Sequence, residues 1–174
     1  MNFNLIATTY RFREEDAHDE LLDLLEEFGD GNAEAEISKI KGIILAQTGL
    51  DPFSVVQKLR SAVSEPWRVR YLLRVIPVET VVPTSLEDIK QAVLKLAGRI
   101  AESDSFRITV EKRHSQLHMS EIIDVIAEEI KRKVDLENPD WVVMIQILGS
   151  EAGVSVLKPD QVFSSTVEKR KMGD

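Results

Sequence analysis

The chain contains no cysteine. This excludes disulfides, thiolate-bound zinc, cysteine-held iron–sulfur clusters and any mechanism that passes through a persulfide or thioester on this chain, and it fits a reducing compartment. Long apolar runs are missing too: the longest, "WVVMIQIL", is of strand length, well short of the roughly 20 residues a membrane span needs. The N-terminus, "MNFNLIATTYRFREED", lacks a basic n-region, and its apolar stretch is cut by Thr8 and Thr9 and followed by acid, so no signal peptide is expected. A soluble, cytoplasmic protein follows as the expectation. There is no P-loop, no G-x-G-x-x-G and no G-x-S-x-G. Paired carboxylates at Glu14-Glu15 and Glu128-Glu129 lie on helix faces that read as solvated, a solubilising role rather than acid–base catalysis. No catalytic constellation, cofactor or metal is expected.

What is present is a globular composition over 174 residues, enough for one ordinary domain or two small ones, with a net charge of −8. Residues 1–83 hold 9 Lys and Arg against 14 Asp and Glu, and residues 84–174 hold 13 against 16. Both halves are acidic, so indiscriminate nucleic-acid binding is disfavoured and any anion-binding face must be built locally.

The first half reads β-α-β-β-α-β. "NFNLIATTY" is strand-like, and an acidic helix follows with Leu21, Leu22, Leu25 and Phe28 on one side, closed by Gly29 and Gly31. Two short antiparallel strands span "AEAEISKIKGIILAQTG", turning near Lys41-Gly42. Asp51 caps the next helix, with Pro52 at its first position and Phe53, Val56, Leu59 and Val63 on the buried stripe. "WRVRYLLRVIPVETVV" is one long extended segment. This order is the ferredoxin-like plan.

In the second half, Ser85 with Asp88 three residues on forms a capping box before a helix burying Leu86, Ile89, Val93, Leu96 and Ile100. "FRITV" alternates, Phe106, Ile108 and Val110 inward and Arg107, Thr109 and Glu111 outward. Ser120 is the expected N-cap of a helix whose stripe is Ile122, Ile123, Ile126 and Ile130. Asn138-Pro139 breaks the pattern. "WVVMIQIL" is apolar on both faces save Gln146, as befits a central strand, and "GVSVLKP" pairs with it after the "GSEAG" turn. The tail "SSTVEKRKMGD" is polar and expected to fray.

The segment "RITVEKRHSQLHMSEIIDVIAEEI" gathers Arg107, Lys112, Arg113, His114 and His118 where a strand passes into a helix. His114 and His118 stand four apart, but they precede the expected cap at Ser120, and Ser115 replaces the glutamate of H-E-x-x-H, so a loop is favoured over a metal pair. "NPDW" is superficially similar to the Asn-Pro-Pro-aromatic motif of amino-methylating enzymes, yet no Gly-rich cofactor loop precedes it, and a turn is the better reading. "KRK" at 131–133 reads as cations complementing a helix C-terminus. "EKRH" at 111–114 gains nothing of the kind, because it leads into the positive end of a helix. An external anion would resolve that tension.

The ordered run "WRVRYLLRVIPVE", "FRITVEKRH", "SEIIDVIAEEI", "VDLENPDWVVMIQILG" and "GVSVLKPD" resembles the THUMP domain, in particular the stand-alone THUMP proteins related to the adaptor for tRNA N4-acetylcytidine formation. The resemblance covers about residues 66–163. It implies an α+β chain: a ferredoxin-like domain over 1–78, a THUMP α/β domain with a central mixed sheet over 79–165, and a flexible tail over 166–174. It also implies a non-catalytic adaptor that captures the acceptor stem and 3′ end of tRNA and presents them to a separate tRNA acetyltransferase. Lys112 and Arg113 would then contact phosphates, with His114 and His118 on phosphate, ribose or an end base, Arg107 on the same face and Lys158 closing it. The alternative is a ferredoxin-like regulatory or assembly module that binds a small anion or a protein without RNA.

Overall fold

The computed structural model describes residues 2–173, which form two compact units: one comprises residues up to Val78 together with those from Asp160 onward, the other Glu79–Pro159. Each is a mixed α and β unit built on its own five-stranded sheet.

In the first unit the order is β1 (Leu5–Thr9), α1 (Glu14–Glu27), β2 (Glu34–Ile37), β3 (Ile43–Gln47), α2 (Pro52–Ala62) and β4 (Leu72–Pro77). The strands lie side by side as β4-β1-β3-β2, every neighbouring pair antiparallel. Asp51 accepts from the Phe53 N–H at 3.1 Å, and Pro52, which has no N–H to satisfy, opens α2. Leu5 and Ala7 of β1 pack with Leu21, Leu24 and Leu25 of α1 and Val55, Val56 and Leu59 of α2. Leu24 and Val55 take the buried positions expected of Leu22 and Phe53, which are half-buried. The extended run expected over 67–82 is broken. Pro66–Arg68 is a 3-10 turn, and the remainder divides between β4 and β5 (Thr80–Pro83), strands of different sheets. The Val78 N–H still bonds Asn4 O, whereas the Glu79 N–H bonds Val154 O, so the change of sheet falls between adjacent residues.

The second unit continues with α3 (Leu86–Leu96), β6 (Ser105–Arg113), α4 (Met119–Glu129), β7 (Lys133–Val134), β8 (Trp141–Leu148) and β9 (Glu151–Leu157). Its strand order is β5-β9-β8-β6-β7. β8 is central, parallel to β6 and antiparallel to β9, and the two-residue turn at Gly149 and Ser150 uses φ +65° at Gly149. The Ser85 hydroxyl accepts from the Asp88 N–H at 3.1 Å and caps α3. Ile89, Val93, Ile122 and Ile126 of the helices bury against Phe106, Val110, Val143, Ile145 and Val154 of the sheet.

Two short elements follow in the first unit, β10 (Phe163–Ser164) and α5 (Ser165–Met172). They replace the frayed tail expected over 166–174. β10 pairs with β4, Phe163 is fully buried, Ser164 caps α5 through the Val167 N–H at 3.3 Å, and Glu168 pairs with Arg60 at 2.9 Å. Polar composition hid this because the helix is fastened by bonds and one aromatic rather than by an apolar stripe. No helix among the described residues is long and apolar enough to cross a membrane.

Candidate nucleic-acid interface

β6 carries the basic segment, and its geometry divides the residues expected to act together. Arg107 pairs in register with Val142 near the start of β8, whereas Arg113 pairs with Leu148 at its end. Six residues of strand separate them, about 20 Å. Lys158 follows Leu157, which lies opposite Val142. Lys158 therefore stands with Arg107 at one end of the sheet, and Lys112, Arg113, His114 and His118 stand at the other. One continuous face holding all six is not what the fold builds.

At the Arg107 end, "NPDW" works as a clasp. Asp140 Oδ2 accepts from the Ser105 N–H at 2.8 Å while the Asp140 N–H donates to Ser105 Oγ at 3.1 Å, joining the starts of β6 and β8. Arg107 Nη1 donates to Leu136 O at 3.2 Å, and its Nε is buried without a partner among the described residues. The Lys158 ammonium lies 5.5 Å from the Trp141 ring, whose Nε1 donates to Asp104 at 2.9 Å. The Asn138 N–H, helped by that of Glu137 and the charge of Lys133, holds the Asp135 carboxyl below its ordinary range. "KRK" at 131–133 does not cap a helix as expected. The last turn of α4 has no basic residue, Arg132 Nε donates to Ile100 O and Ala101 O, and Lys133 has entered β7.

At the opposite end, strand alternation sends Lys112 and Arg113 to opposite faces. Lys112 Nζ reaches forward to Leu117 O at 2.9 Å, drawing the loop between β6 and α4 over the sheet edge. Arg113 Nη1 donates to Gln146 Oε1 at 3.1 Å, and Gln146 Nε2 donates to Glu111 Oε2 at 2.6 Å. The Arg113 carbonyl accepts the Gly149 N–H at 2.9 Å, which fixes the β8–β9 turn beside it. His114 turns the chain with φ +57°, a left-handed conformation that few side chains favour. His118, not Ser120, is the N-cap residue of α4, and it makes no side-chain capping bond. The Lys112–Leu117 bond and the bond from the Leu117 N–H to Ser115 Oγ at 3.2 Å close the loop early, so Ser120 falls inside the first turn. The exposed first turn of α4 thus presents backbone N–H groups beside Lys112 and His118, with His114 in the loop that leads to them. That is the arrangement in which a helix start receives an anion. No group of three or more His, Cys, Asp or Glu among the described residues is placed to hold a metal ion.

Sequence reasoning missed the two residues that orient Arg113. Gln146 was visible as the one polar residue of "WVVMIQIL", and a parallel register with β6 would have set it opposite Glu111.

Residues 83–157 match the THUMP domain. THUMP domain-containing protein 1 from Bos taurus is 24% identical over 161 residues, covering 80% of this chain and 45% of that protein, so the chain spans less than half the length of this relative. Among solved structures, TrmN from Thermus thermophilus superposes with a TM-score of 0.60 at 20% identity, over 87% of this chain and 44% of that one. A 4-thiouridine synthetase in complex with RNA and ATP superposes with a TM-score of 0.57 at 12% identity, over 90% and 42%. At these identities the two structures speak for the fold. Residues 83–157, from the end of β5 to the end of β9, are thus similar to a THUMP domain, and the chain as a whole is similar to THUMP domain-containing protein 1 over most of its length.

Proposed function

We propose that the protein is a non-catalytic tRNA-binding adaptor, acting in the cytoplasm, that holds the acceptor stem and 3′ end of tRNA and presents them to a separate modifying enzyme, a cytidine acetyltransferase. The observation that carries this reading is the loop between β6 and α4. Lys112 and His118 stand at the uncapped N–H groups of the helix start, with His114 in the same loop and Arg113 at the same end of the sheet on its other face, in a domain type associated with RNA binding and tRNA modification. The structural neighbour solved with RNA supports it further. Recognition of a paired stem would rest on shape and phosphate contacts, since the major groove of A-form RNA is too deep and narrow to be read. On an otherwise acidic chain, attraction for phosphate is limited to such local clusters of cations. The first unit is taken as a ferredoxin-like domain, on the strength of its β-α-β-β-α-β order and the β4-β1-β3-β2 arrangement of its strands. A chain without cysteine or a nucleotide loop leaves the chemistry to the partner.

A salt-series titration of the full chain against tRNA, and against tRNA lacking its single-stranded 3′ end, tests the reading. Binding should weaken with salt and with removal of the end, and Lys112→Ala/Arg113→Ala should lower the salt slope by about 1 for each phosphate that the variant no longer neutralises. Unchanged affinity in that double variant would remove the site. Arg107→Ala/Lys158→Ala, at the other end of the sheet, shows whether the stem reaches that far.

A further inference from the structure

The first unit carries a second concentration of charge and aromatic surface that the THUMP reading does not use. Three loops meet at one end of its sheet. β1 ends there and runs into "YRFR" at 10–13, the β2–β3 turn brings Lys39 and Lys41, and β4 begins there after Arg70 and Tyr71. Of the nine Lys and Arg residues in the first 83, five (Arg11, Arg13, Lys39, Lys41 and Arg70) collect at this end. Among the described residues, Arg11, Lys39 and Lys41 have no ion-pair partner, whereas Arg13 pairs with Asp16 at 3.0 Å.

Phe12 is the informative residue. It is 84% exposed and sits at φ +68°, so it meets water with a large ring while holding a backbone conformation that glycine or asparagine would adopt at less cost. The Arg11 guanidinium lies 5.9 Å from the ring. Tyr10 beside it is 52% exposed. The support beneath is firm: the Thr9 N–H donates to Gly42 O at 3.0 Å, Thr9 Oγ1 to Tyr71 O at 2.7 Å, and the Gly42 N–H to Glu14 at 3.1 Å. A side chain added at Gly42 would meet Thr9 O at 3.2 Å, so the two loops approach as closely as they can. The aromatic tips are thus displayed by a fastened base, not by a loose loop. Strain and exposure held together on a fixed support point to an external partner.

We propose that Tyr10 and Phe12, flanked by Arg11, Lys39 and Lys41, form a stacking site for unpaired nucleotides of RNA, separate from the THUMP contacts. This rests on the proposed RNA-binding function. Flat rings interleaved with unpaired cations match a single strand, which offers base faces to the rings and phosphates to the cations. A duplex hides its base faces and would use the cations alone.

The test titrates the full chain with two labelled RNAs, octauridylate and a fully paired hairpin. Tyr10→Ala/Phe12→Ala should weaken octauridylate binding by about tenfold or more and leave the hairpin within about twofold, while Phe12→Trp should retain octauridylate. Both rings are exposed, so the variants should fold as the parent does, which melting confirms. Octauridylate binding unchanged in the double variant overturns the site. Equal weakening on both RNAs also overturns it, because stacking would not be the contact. Parent protein that binds the hairpin but not octauridylate removes this site and leaves the tRNA reading standing; parent protein that binds neither removes both. Should the variant keep octauridylate yet fail to bind an acidic hexapeptide that the parent binds, the surface docks protein and the proposal fails.

Discussion

Arg113 donates from Nη1 to Oε1 of Gln146, a side chain with no solvent exposure, while Gln146 Nε2 donates to Glu111. A buried amide therefore aims an arginine at the end of the sheet where the anion is proposed. Gln146→Leu conserves volume but removes both bonds. Arg113 and Glu111 are partly exposed and can turn to water, so the stability cost should be about 1 kcal/mol. If Arg113 contacts phosphate, tRNA affinity should also fall, and Arg113→Ala should cost less in the Gln146→Leu background than in the parent. Additive effects in that double-mutant cycle would show that Gln146 does not position Arg113.

Arg99 binds Glu79 in fork-to-fork fashion, at 2.8 Å through each nitrogen, and adds a bond to Val156 O at 2.7 Å; Glu79 also accepts the Val156 N–H at 3.0 Å. The pair locks the residues before β5 to the end of β9. A lysine keeps the charge but cannot span both oxygens and the carbonyl. Arg99→Lys should lower stability by about 1–2 kcal/mol, read as a reduced urea midpoint. An unchanged midpoint would mean that water replaces the fork at no cost.

Legibility followed the range of the forces involved. Asp51-Pro52 and Ser85 with Asp88 announce helix starts because capping is local, and "WVVMIQIL" announces a covered strand because burial on both faces leaves no alternation. The candidate site was legible as a set of residues and not as a place. Residues 107–118 are neighbours along the chain, but a strand carries Arg107 about 20 Å from Arg113, and Lys158 joins the Arg107 end only through the antiparallel return of β9. The start of α4 moved from Ser120 because Lys112 and Ser115 close the loop on Leu117, a contact that no capping pattern encodes.

Asp30 joins the end of α1 to the end of β3, accepting from Thr48 Oγ1 at 2.6 Å and from the Gly49 N–H at 2.8 Å. The Thr48 hydroxyl foremost, then the Gly49 N–H, lowers its folded-state pKa. The unfolded chain then binds this proton more readily, so the contribution is present above the unfolded value of about 3.9 and is lost as pH falls through the lower folded value. Asp30→Asn should narrow the gap in Tm between neutral and strongly acid solution. A gap equal to that of the parent would assign the acid sensitivity to other carboxylates.

His118 occupies the N-cap of α4 with φ −83° and ψ 131°, the extended geometry a capping serine adopts, but makes no side-chain capping bond. His118→Ser should therefore stabilise the protein by about 1 kcal/mol. The same change removes a side chain assigned to the RNA and satisfies an N–H that the anion would use, so tRNA affinity should fall as Tm rises. A rise in Tm with affinity unaltered would keep the cap and remove His118 from the interface.

Phe12 allows function and stability to be separated in one residue. At φ +68° glycine relieves the strain that the phenylalanine side chain imposes, and an 84% exposed ring contributes little burial. Phe12→Gly should raise stability by about 0.5–1 kcal/mol, partly offset by the greater freedom of glycine in the unfolded chain. Octauridylate binding should fall as it does for Phe12→Ala, because both lack the ring. The comparison matters because a purely structural role predicts the opposite pairing: a ring that packed against the fold would make both variants less stable and would leave RNA binding to follow the folded fraction. Melting and titration of Phe12→Gly, Phe12→Ala and Phe12→Trp therefore distinguish a residue kept for packing from one kept, against its local preference, for something the chain binds.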